Sequence, residues 1–141
     1  MKSQKIVTWF AIIISITLLF LPRIIPICTG RIDLGGGELM PMECHFAYQA
    51  EFIIALLAVI FSASLLILRT FEGRSLASFL VFLLGIIIII IPQPWAIGIC
   101  PPGSGGCHKT TFFVTIGGAL LTLAGILTLW LTYKARQGEV E

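Results

Sequence analysis

The chain has 141 residues, of which 57% are hydrophobic and only 11% charged, with a formal net charge of +2 and a mean hydropathy of +1.04. Soluble domains carry about 25% charged residues, so this chain cannot cover a water-facing surface. A charge this small gives no basis for nucleic-acid binding, and the integral membrane class remains, at about one domain's length.

Four apolar segments follow one another, at residues 6–21, 46–68, 76–91 and 112–133. A bilayer core of about 30 Å takes roughly 20 helical residues. The first segment has a basic start at Lys2 and Lys5, as a signal peptide would. Near its end stand Pro22, Arg23 and Pro26, with no small-x-small cleavage site, so it is expected to be a retained helix. It is short, and is expected to continue past Pro22 to residue 27 through an interfacial kink.

The loop that follows holds Gly35-Gly36-Gly37 and Pro41 and reads as irregular turns rather than strands. The second segment spans a bilayer as it stands. Residues 69–75 are expected to form a tight turn, making the second and third helices antiparallel neighbours. The third segment continues past Pro92 to residue 99 on the same reasoning as the first. A second irregular loop, Pro101-Pro102-Gly103-Ser104-Gly105-Gly106, leads into the fourth. The expected fold is an all-α membrane protein, a four-helix transmembrane bundle. Its helices lie at about 6–27, 46–68, 76–99 and 110–133, and make two helical hairpins over 6–68 and 76–133.

Lys and Arg stay preferentially on the cytoplasmic side of short loops. Lys2 and Lys5 precede the first segment, Arg69 and Arg74 lie between the second and third, and Lys134 and Arg136 follow the fourth. The other two loops carry Asp33, Glu38 and Glu43, against Arg31 and Lys109. The predicted topology is therefore N-in/C-in in the cell membrane, with both cysteine-bearing loops on the outer side.

The two hairpins share a pattern: Leu21-Pro22, Ile27-Cys28, a Gly-rich loop and Cys44-His45, then Ile91-Pro92, Ile99-Cys100, a Gly-rich loop and Cys107-His108. Any hairpin needs Pro and Gly at its ends, but duplication of the Ile-Cys and Cys-His pairs points to an internal repeat. Small residues let helices approach in lipid. Ala58 and Ser62 make such a step on the second helix, and Gly118, Thr122 and Gly125 line one face of the fourth.

Four cysteines on the outer side are the pattern of disulfides in an oxidising compartment. The repeat suggests Cys28–Cys44 and Cys100–Cys107, each closing its own loop; cross-hairpin pairing stays open. The alternative is thiol–disulfide exchange. In outline the chain resembles the four-helix membrane enzymes that pass disulfide electrons to a quinone. However, a reactive pair is usually Cys-x-x-Cys, and here fifteen and six residues intervene. Cys44-His45 and Cys107-His108 also raise a Cys₂His₂ metal site, but adjacent pairs lack the spacing for both side chains to reach one ion. His45 reads better as a partner for loop backbone at the start of the second helix. No metal or cofactor is implied, and no nucleotide loop, zincin helix or nucleophile elbow occurs.

Gln49 and Glu51 fall just inside the outer end of the second helix, before an unbroken apolar run. A charge there is costly and needs a partner or a cavity. The simpler expectation is an Arg23–Glu51 ion pair that fixes the hairpin. The sharper one is a polar ligand or proton site formed by Arg23, His45, Gln49 and Glu51.

Pro26-Ile27-Cys28, then Glu43-Cys44-His45-Phe46 with Gln49-Ala50-Glu51, resembles a family of small prokaryotic membrane proteins known only as a domain of unknown function. The segment from Pro92 to Cys100 and Cys107 also fits. The departures are Glu43, where that pattern has a basic residue, and Phe46, where it has Trp. The resemblance implies a four-helix membrane protein and supplies no activity. An association of such proteins with ABC-type export genes implies an accessory subunit of a membrane transporter. The expected partners are the lipid bilayer and a subunit of a membrane transporter, and no nucleic acid is expected.

Overall fold

The structure is a computed structural model that describes residues 2–24, 31–33, 39–41, 43–93, 96 and 105–137. Four helices, α1 (Lys2–Ile24), α2 (Glu43–Ile67), α3 (Phe71–Ile90) and α4 (Gly105–Gln137), hold almost all of these residues. Each contains a stretch long and apolar enough to cross a bilayer, with mean hydropathy between 2.0 and 2.5. Each helix packs against the next, and α4 closes back on α1. The helices run alternately up and down: the last turns of α1 and α3 and the first turns of α2 and α4 make one end (the loop end), and the start of α1, the α2–α3 link and the end of α4 make the other (the termini end).

The helices differ from expectation mainly at their ends. α1 begins at Lys2 and carries Pro22 inside its last turn, so the hydrogen bond it withholds from the Leu18 carbonyl is lost only two residues from the helix end. α3 begins at Phe71, so the link from α2 is only residues 68–70 and not the longer turn expected. It also stops at Ile90 instead of running on past Pro92. The last α-helical bond is Ile91 N–H to the Ile87 carbonyl at 3.0 Å. Pro92 has no N–H to continue the ladder, and Gln93 N–H turns back to Ile90 O instead.

The first loop is not wholly irregular. Arg31–Asp33 (β1) pairs antiparallel with Leu39–Pro41 (β2), Ile32 standing opposite Met40. Gly35-Gly36-Gly37 lies in the segment between the strands. The glycines read as irregular turn, but the short runs on either side of them can still pair.

The packing is that of a membrane bundle. Small residues point inward, with Ala11, Ser15, Ala55, Ala58, Ser62 and Ser78 almost fully buried. Large apolar side chains such as Phe20, Ile53, Phe112 and Leu123 are more than half exposed, as suits a lipid solvent. Ser15 and Ser62 meet across α1 and α2 at 3.4 Å. Buried Thr8, Thr128 and Thr132 donate to carbonyls one turn back in their own helices, so their hydroxyls are satisfied without water.

α3 and α4 form the most extensive contact. The expected small face of α4 lies in it: Gly118 and Gly125 approach α3 so closely that an added Cβ would meet Ile89 and Phe82 below 3 Å. Gly85 supplies the matching gap on α3 and faces Thr122 and Gly118.

Candidate functional site

The polar residues expected near the start of α2 separate onto two faces. His45 and Gln49 stand one turn apart on the exposed side, their Nε2 atoms 3.1 Å apart in a hydrogen bond. Arg23, exposed near the end of α1, joins them in a groove of about 340 Å³. Pro22, Tyr48, Phe52 and Ile53 complete the groove. Its lining is mostly apolar.

Glu51 is not part of that groove. Two residues of helix rotate the side chain by about 200°, which turns it from the Gln49 side to the buried stripe of α2. Ala47, Glu51, Ala55, Ala58, Ser62 and Leu65 make up that stripe, each 3% exposed or less. Glu51 is 2% exposed, and its Oε1 has no hydrogen-bond partner. Among the described residues it is the only acidic or basic side chain that is buried. It lies about 9 Å along the helix axis from His45, deeper than the sequence alone implied because α2 begins at Glu43.

The expected Arg23–Glu51 ion pair does not form. Arg23 projects to the surface while Glu51 points into the bundle. α1 ends at Ile24, and Arg23 lines the groove, which Glu51 does not. The carboxyl group therefore occupies an apolar interior with one oxygen unsatisfied. Such a group costs stability unless something pairs with it, and intramembrane ionisable residues characteristically mark substrate, ion or proton pathways.

The cysteine expectations lie outside the described residues. Cys28 and Cys100 are not among them, and for Cys44 and Cys107 only the helical backbone of α2 and α4 is described. The same holds for His108.

A second polar concavity, at the termini end, was not anticipated. Gln4, Arg69, Phe71, Arg74, Thr132, Ala135 and Arg136 line a cleft of about 430 Å³. In the sequence, Arg69, Arg74 and Arg136 are topology signals on separate segments. Only the packing of α1 and α4 beside the α2–α3 link brings them together.

No curated protein and no solved structure matches the chain. Residues 11–131 match the family described as Domain of unknown function (DUF4418), with the four helices lying wholly or largely within that match, and the chain belongs to this family.

Proposed function

We propose that the protein is a non-enzymatic multi-pass membrane protein, an accessory subunit of a membrane transporter. In this reading its bundle receives a cationic or hydrogen-bond-donating group at Glu51. The observation that carries it is the Glu51 carboxyl, buried on the core stripe of α2 with Oε1 unpartnered. A residue kept only for packing would be apolar here, since a carboxyl with an unpaired oxygen inside a membrane bundle is costly. Native purification in mild detergent of the wild type and of Glu51→Gln tests the reading. A transport-related membrane component should accompany the wild type and be depleted with Glu51→Gln. Recovery of the wild type alone, or equal recovery of the component with both, would count against it.

The orientation proposed with this reading puts the termini inside and the cysteine loops outside. Arg69, Arg74 and Arg136 lie at one end of the bundle, which supports it. Trp9 and Trp130 lie toward the same end, each 56% exposed, as interfacial aromatics do. The cysteines are proposed to lock the outer loops as Cys28–Cys44 and Cys100–Cys107. Peptide mapping without reduction should recover these two links. After reduction, a membrane-impermeant maleimide applied to intact cells should label all four thiols. Each bridge should stabilise its loop by about 2–4 kcal/mol. A Cys28–Cys107 link would overturn the pairing, and thiols shielded in intact cells would overturn the orientation.

A further inference from the structure

We infer that the cleft at the termini end is a binding site for a phosphate-bearing anion, independent of Glu51. Three guanidinium groups reach it from three parts of the chain: Arg69 from the α2–α3 link, Arg74 from α3 and Arg136 from α4. No carboxylate lines it among the described residues. Glu72, in the same first turn of α3, is exposed and outside the lining.

Two of the three cations have a neighbour that orients them. Arg74 Nη1 donates to Gln4 Oε1 at 3.3 Å, and the Arg136 guanidinium lies 4.6 Å from the Phe71 ring centroid. Arg74 Nε is buried with no hydrogen-bond partner, and Arg74 itself lines the cleft. The start of α3 adds to this. Thr70 makes no side-chain cap, so first-turn N–H groups and the positive end of the helix dipole are left near the cleft.

Guanidinium forks match the oxygen geometry of phosphate and bind it with charge-assisted hydrogen bonds. A volume of about 430 Å³ admits a phosphate together with the small group that bears it. The cleft lies where the spans end, so the phosphate can come from an acidic lipid headgroup or from solution.

The test uses the full chain in phosphatidylcholine nanodiscs with and without phosphatidylglycerol, with retained lipid read by native mass spectrometry. A second arm titrates inorganic phosphate into the protein in phosphatidylcholine alone. Selective retention of phosphatidylglycerol assigns a lipid phosphate, and binding in the second arm assigns a soluble one. Either should weaken about tenfold with Arg136→Gln or Arg69→Gln, both of which change exposed side chains that the core does not need.

Lys134→Gln is the control. Lys134 stands on the same end of α4, over the Trp130 ring and outside the cleft, so its loss should leave binding nearly unchanged. Equal losses with Lys134→Gln and Arg136→Gln would reduce the effect to general surface charge and overturn the site. So would no preference for phosphatidylglycerol together with no phosphate binding.

Discussion

Gly125→Val is expected to destabilise the bundle by about 3 kcal/mol or more, the upper end of the usual cost of overpacking. A Cβ at Gly125 would stand 2.7 Å from the Phe82 nitrogen and 2.8 Å from its Cα. Backbone atoms inside a helix cannot swing aside as a side-chain tip can. α3 and α4 would have to part along the seam where Gly85 and Gly118 also make close contact. In lipid that close packing is itself the main source of helix association. Gly73→Ala is the comparison. Its Cβ would meet only the side chains of Thr70 and Leu68, which can move, and alanine favours the helix by about 1 kcal/mol. Unfolding in detergent should therefore show Gly125→Val far below the wild type and Gly73→Ala close to it. Equal stability of Gly125→Val and the wild type would refute the close α3–α4 seam.

Glu51→Leu is expected to raise stability by about 1–3 kcal/mol, the cost of an unsatisfied buried polar group. Leucine has a similar size and continues the apolar stripe from Ala47 to Leu65. A gain on removing a residue is the mark of a position held for function at the expense of stability. The same experiment separates this view from the ion pair expected on sequence grounds. With Arg23 exposed and Glu51 buried, the effects of Arg23→Leu and Glu51→Leu should add within about 0.5 kcal/mol. A marked loss of stability in Glu51→Leu, with clear coupling to Arg23, would return Glu51 to a structural role.

The candidate site was only partly legible beforehand. Glu51 stood out because a carboxylate ahead of an unbroken apolar run is conspicuous at any register. Its expected partner Arg23 lies at a similar depth, but nearness in depth is not nearness in space. Helical phase settles the matter: Gln49 and Glu51 are two residues apart and face opposite ways. Arg23, His45 and Gln49 do share a groove. The arginine cleft had no signal beyond cationic residues at three separated positions, and those already had a sufficient explanation in topology.

Four membrane helices were determined by the sequence alone, since hydrophobic length and scarce charge are one-dimensional quantities that a bilayer of fixed thickness reads directly. The small faces of α2 and α4 were legible for a related reason, because spacing along a helix sets which residues share a side. Gly85 was not distinguished this way, as the residues four away from it are Val81 and Ile89; its role exists only opposite Thr122 and Gly118. The unpartnered Oε1 of Glu51 and the convergence of Arg69, Arg74 and Arg136 were likewise decided in three dimensions. Each depends on which helix stands beside which and at what rotation, and hydropathy carries no information about either.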